Sequence, residues 1–172
     1  MKTPATSPAV RLIGAMALAA ATQAAHAGSN TGSFQVNATV ISACTVSGAL
    51  LNFGAAIDPL ATAVPLDASS TLTVTCTNTT PYTVALNAGV NAGGASAFAN
   101  RAIKHGSYTL AYQLYTDTGR STVWGDGTAS SSTSAGTGTG SVQTLTIYGR
   151  IPSLSGSVPG TYTDTVTVTI SY

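Results

Sequence analysis

Apolar and polar residues alternate strictly over several short stretches of this chain. In Ser33–Ile41, Phe34, Val36, Ala38 and Val40 share one face, and Gln35, Asn37 and Thr39 share the other. That is the period of a half-buried strand. The residues after it offer no partner, because Ser42-Ala43 lacks the Gly, Asn or Asp that tight hairpin turns use. Further strands are expected at Thr71–Thr77, Tyr82–Leu86, Tyr108–Thr116, Thr122–Trp124, Val142–Ile151 and Thr161–Tyr172, with a short apolar run at Leu50–Phe53 closed by Gly54. In the last of these, Tyr162, Val166, Val168, Ile170 and Tyr172 fall on one face, Asp164 is the exception, and the other face is Thr or Ser throughout. About seven or eight short strands with turn residues between them predict an all-β sandwich. Ala88–Ala99 and Gly125–Gly140 are expected to be loops, the second a mobile, low-complexity Ser/Thr/Gly segment.

The chain therefore has an orphan strand near its start and a long amphipathic strand at its end. A sandwich short of one strand would leave that last strand on an open edge, and open edges recruit other chains. Strand addition in trans is one such recognition mode. The pattern then assigns Phe34, Val36, Ala38 and Val40 to a donor strand, and Val166, Val168, Ile170 and Tyr172 to the edge of an acceptor groove.

Ahead of the strands, Lys2 and Arg11 flank a charged start, Leu12–Ala21 is apolar, and Ala25-His26-Ala27 is a small-x-small site. Residues 1–27 read as a secretory signal peptide. The apolar run is shorter than the roughly 20 residues a spanning helix needs. Residues 28–41 then form an N-terminal extension and 42–172 a β-sandwich domain. The expected route is export.

Export gives the two cysteines a meaning. Cys44 and Cys76 read as one disulfide, worth roughly 3–4 kcal/mol in the chain-entropy picture. A metal site is the rival reading, but two thiols without nearby His or further Cys are too few ligands. Beyond the leader the charges are Arg101, Lys104, Arg120 and Arg150 against five Asp and no Glu. No basic stripe exists for phosphates, so nucleic acid is not an expected partner. Few charges suit a chain that packs against copies of itself.

Catalytic motifs fail on inspection. Asp117-Thr-Gly119 matches the aspartic-protease triplet, but that chemistry needs two carboxylates sharing a proton, and no second triplet exists. Here Asp and Gly suit a turn. His105 sits between Lys104 and Gly106 and reads as a surface histidine. Gly136–Gly140 has no following helix or Lys to cradle a phosphate. No catalytic site, metal or cofactor is expected.

Several pieces resemble the spore coat protein U family, whose members include subunits of archaic chaperone–usher pili. They are Cys44-Thr-Val46, Leu51-Asn-Phe-Gly54, Thr73-Val-Thr-Cys76, Tyr112-Gln-Leu-Tyr115 followed by Trp124-Gly125, Tyr148-Gly-Arg-Ile-Pro152, and the closing Pro159–Tyr172. The resemblance implies an incomplete immunoglobulin-like sandwich completed by donor-strand exchange. It also implies copies of itself or related pilins, a periplasmic chaperone and an outer-membrane usher as partners, and a fimbrium at the cell surface serving adhesion or biofilm formation. Two alternatives share the fold. One is a secreted coat or matrix protein. The other is a carbohydrate-binding adhesin domain in which Trp124 and the tyrosines supply stacking faces.

Overall fold

The computed structural model describes residues 27–48 and 50–172, so the signal peptide expected at 1–27 lies almost wholly outside the described residues. The chain divides into two units, 1–38 and 39–172. In the first, residues 27–38 form neither helix nor strand and are exposed throughout.

The second unit is all-β, with one short 3-10 turn at Phe98–Asn100. Its strands are β1 (Cys44–Ser47), β2 (Leu66–Cys76), β3 (Pro81–Leu86), β4 (Ala102–His105), β5 (Tyr108–Ala111), β6 (Gln113–Tyr115), β7 (Ser134–Thr137), β8 (Val142–Ile151) and β9 (Val168–Ser171). One antiparallel sheet runs β1-β2-β8-β6, a second runs β7-β3-β9, and β4-β5 form a hairpin. Alternation decides what each sheet buries. Leu72, Val74 and Cys76 from β2 meet Tyr82, Val84 and Leu86 from β3 in one core, joined by Leu114, Ile147 and Ile151. Two sheets with their apolar faces in one cluster make a sandwich. Cys44 stands opposite Cys76 in the β1–β2 register, and a disulfide joins them.

Four expected elements differ. Tyr108–Thr116 is not one strand. It divides at Tyr112, so that β5 pairs with β4 and β6 with β8. The Tyr112 amide donates to Arg101 O at 3.1 Å, one step beyond Ala102–Ala111 in the β4–β5 register, and from Gln113 the chain pairs with β8 instead. Leu110, Tyr112 and Leu114 nonetheless stay buried, as their alternation requires. Thr122–Trp124 makes only isolated bridges.

Gly125–Gly140 is not a free loop. It contains β7, whose Gly136 lies so close to Tyr82 that a Cβ there would stand 2.5 Å from the ring. Small residues thus serve an edge strand's close approach. The final strand shrinks from the expected Thr161–Tyr172 to Val168–Ser171. Its partner β3 ends at Leu86, and upstream the chain is held by a two-bond bridge to Lys104 and by bonds from Val90 N and Asn87 N in place of a ladder.

Candidate functional site

The sandwich is open along one seam. A cleft of about 720 Å³ lies between the strandless segment 50–59 and the segment 157–168. Leu72, Leu114, Ile147 and Ile151 from one sheet, Leu86 from the second and Leu110 from the hairpin form its apolar floor. Leu51 and Phe53 reach their positions because Gly149 in β8 has no side chain. A Cβ there would come within 2.5 Å of Leu51 and 2.9 Å of Phe53. The run Leu50–Phe53 carried the sequence signal for this wall, but nothing in its pattern said that it would line a cleft and not pair in a sheet.

The opposite wall is also a free edge. Between Thr163 and Ser171 the odd residues turn their backbone groups towards the domain. Thr163 pairs with Lys104, Thr165 O accepts from Val90 N, and Thr167 O accepts from Asn87 N. Thr169 and Ser171 stand opposite Ala85 and Thr83 in the β3 ladder. In extended chain, neighbouring residues present their backbone groups to opposite edges. The even residues therefore point theirs the other way, and those of Asp164 and Val166 have no partner among the described residues. The even side chains meanwhile face inward. Tyr162, Val166, Val168 and Ile170 all pack on the core.

Of the four residues assigned to the groove edge, Val166 and Val168 line the cleft, Ile170 packs on the core beyond it, and Tyr172 is 60% exposed. On the expected donor strand, Phe34, Val36 and Val40 are 87%, 82% and 87% exposed, and Ala38 is exposed too. Residues 33–41 are in no strand.

A hydrogen-bonded pair, Tyr112 and Asp164, sits in the lining. The Tyr112 hydroxyl donates to Asp164 Oδ2 at 2.7 Å, and the Asn91 amide donates to Asp164 Oδ1 at 3.2 Å. Gly89, at φ +96°, makes room for this carboxylate, since any Cβ there would collide with it. Burial, then the bond to Asp164, pushes the Tyr112 phenol well above its ordinary range. Asp164 was visible in the sequence as the break in an alternating strand. Its partner was not.

Arg101, one of the few charges, is 1% exposed. Its guanidinium donates to Gln113 Oε1 at 2.7 Å, Asn87 O at 2.8 Å and Trp124 O at 2.9 Å, and lies 5.2 Å from the Phe98 ring centroid. Burial pulls its pKa down to about 10, opposed by Tyr112 and Asp164. It ties the 87–91 loop, which covers Asp164, to β6 and to the turn at Trp124.

The remaining candidates resolve into structure. Trp124 is 1% exposed and donates from Nε1 to Val84 O at 3.0 Å. It offers no face to a sugar. His105 is half-buried against Tyr162, with ring centroids 5.6 Å apart, and is not the surface histidine expected. Asp117 accepts from the Thr122 and Ser121 amides, which hold its carboxyl below the usual range, as a turn-forming Asp should be held. No cluster of three His, Cys, Asp or Glu among the described residues could hold a metal. No described helix is long and apolar enough to cross a membrane.

Comparison with known proteins agrees with this architecture. The family model for the Spore Coat Protein U domain matches residues 30–169. Protein U of Myxococcus xanthus is 32% identical over 180 residues, covering 98% of this chain and 99% of that protein. Among solved structures, the CsuC–CsuE chaperone–tip adhesion subunit pre-assembly complex from archaic chaperone–usher Csu pili of Acinetobacter baumannii aligns with a TM-score of 0.55 and 26% identity. That alignment covers 78% of this chain but 40% of the matched one.

Proposed function

This chain belongs to the Spore Coat Protein U domain family, and from that premise we propose that it is a structural subunit of a surface fibre, exported through the periplasm and assembled by donor-strand exchange. Residues 1–27 direct export, 28–41 form the donor extension, and 42–172 form the accepting sandwich. Phe34, Val36, Ala38 and Val40 enter the cleft of the next copy or of a related subunit. A periplasmic chaperone fills the cleft beforehand, and an outer-membrane usher releases it. The likeness to a chaperone–subunit complex supports the chaperone as a partner.

The observation that carries the reading is the combination on one wall. Inward side chains at Val166 and Val168 alternate with an unpaired backbone edge, beside an apolar cleft of about 720 Å³. A strand laid there gains both apolar burial and a ladder. Burying three large donor side chains contributes roughly 1.5–3 kcal/mol each, and each backbone bond adds about 0.5–1.5 kcal/mol net. Ordering the extension subtracts from that sum. The role is structural and requires no catalysis.

The test is deletion of Gly28–Ile41. Electron microscopy of cells expressing the full chain with its chaperone and usher should show fibres. The deleted chain should still bind chaperone yet extend nothing, because it accepts a strand and donates none. Normal polymers from the deleted chain would overturn the reading. A coat or matrix protein is the second reading, favoured by the family's description. It would appear in the same images as a sheath without discrete fibres.

A further inference from the structure

We infer that the Tyr112–Asp164 pair sets the register of the incoming strand, by requiring its small residue, Ala38, opposite Asp164. This rests on the donor-strand reading above and adds a direction and an alignment to it. On an antiparallel pair, directly opposed residues share a face. The inward donor residues Phe34, Val36, Ala38 and Val40 must therefore oppose the inward residues of the acceptor wall, whose free backbone groups lie at the same even positions. Only shifts by two residues remain.

One alignment sets Phe34 opposite Val168, Val36 opposite Val166, Ala38 opposite Asp164 and Val40 opposite Tyr162. It sets all four donor residues opposite residues that line the cleft and ends at Val168, the last of them. Sliding the donor one step towards the C-terminal end of the acceptor moves Phe34 to Ile170, outside the cleft lining, and sets Val40 against the Asp164 carboxylate. Sliding it one step the other way sets Val36 there. Both neighbours press a branched apolar side chain onto a carboxylate already engaged by Tyr112 and the Asn91 amide. Apolar contact of that kind desolvates the charge without offering a partner. A methyl group at position 38 leaves the pair its space and its hydrogen bonds. A parallel strand with Ala38 at Asp164 would put Phe34 at Gly160 and leave Val168 uncovered.

The register is read by cross-linking. In this alignment Asn37 opposes Thr165 with both side chains outward. Such non-hydrogen-bonded pairs hold Cα atoms about 4.5 Å apart, within the roughly 4.4–6.8 Å that a disulfide spans. Asn37→Cys is combined in turn with Thr163→Cys, Thr165→Cys and Thr167→Cys in the full chain. Polymers are oxidised and run without reductant. A covalent ladder through position 165 is expected. Ladders through 163 or 167 instead overturn the register while leaving the subunit reading intact. Failure of the wild-type chain to polymerise removes both. Because residue 38 lies outside the folded sandwich, Ala38→Leu probes the same point without unfolding the acceptor. It should slow assembly about tenfold through overpacking, while Gln35→Leu, on the outward face, assembles at close to the wild-type rate. Ala38→Leu assembling as fast as Gln35→Leu contradicts a role for the polar pair.

Discussion

Val36→Asp and Asn37→Asp form a matched pair one residue apart. Val36 is 82% exposed in the chain by itself, so almost its whole side chain is available for burial in a neighbour's cleft. Losing that burial removes roughly 1.5–3 kcal/mol. Placing an unpaired carboxylate among apolar side chains adds at least the roughly 1–3 kcal/mol that a neutral unpaired polar group costs there. A total of at least about 2.5–6 kcal/mol weakens the donor by roughly two to four powers of ten, at about 1.4 kcal/mol for each. Asn37 lies on the opposite face, towards solvent, where a substitution costs within about 0.5 kcal/mol.

The assay uses synthetic peptides spanning Ser33–Ile41 and the chain lacking 28–41. At a hundred times its dissociation constant, the wild-type peptide stabilises the acceptor by about 2.7 kcal/mol. For a domain of this size that raises Tm by roughly 5–15 °C. The Asn37→Asp peptide should do nearly the same, and the Val36→Asp peptide should do nothing at that concentration. Equal shifts from the two substituted peptides would refute the facing, and with it the claim that alternation in this stretch has anything to do with assembly.

Three further outcomes follow from the domain itself. Arg101→Met leaves Asn87 O, Trp124 O and Gln113 Oε1 without their shared donor, and should lower stability by about 2–5 kcal/mol in urea unfolding, since each buried acceptor left unpaired costs roughly 1–3 kcal/mol. Tyr112 has a folded-state pKa raised above its unfolded value of 10.0, so its contribution is complete below that pH and is lost as pH rises through the folded value. Arg101 opposes this, because its pKa is lowered from 12.5 to about 10 and the unfolded chain holds the proton more tightly in that window. Tyr112→Phe should therefore reduce the alkaline loss of stability measured above pH 10 and leave the curve near neutrality unchanged in shape. Cys44→Ser opens the link between β1 and β2, and should cost roughly 2–5 kcal/mol and lower the yield of exported protein, read by urea titration and by periplasmic recovery.

Period-two patterning determined most of the strands and their inward faces. Leu72, Val74, Leu110, Tyr112 and Leu114 are all buried where alternation placed them, because a pleated strand leaves side chains only two directions to point. The two cysteines, in a chain read as exported, likewise needed only each other. What alternation cannot carry is the identity of a strand's neighbour. Tyr108–Thr116 reads as one strand, yet it changes partner at Tyr112, from β4 to β8, and so divides between two sheets. Gly125–Gly140 reads as a loop by composition, yet Tyr82 can accept an edge strand there only because Gly136 lacks a side chain. The burial of Arg101 depends on acceptors at Asn87, Gln113 and Trp124, far apart in the chain. The cleft depends most of all on tertiary structure. Its walls, 50–59 and 157–168, lie about a hundred residues apart in sequence, and whether a seam between two sheets is open or filled is a fact about packing. Besides the run Leu50–Phe53, the sign in the sequence was Asp164, a carboxylate where an apolar residue was due, and the fold supplies the reason in Tyr112, Asn91 and the space left by Gly89.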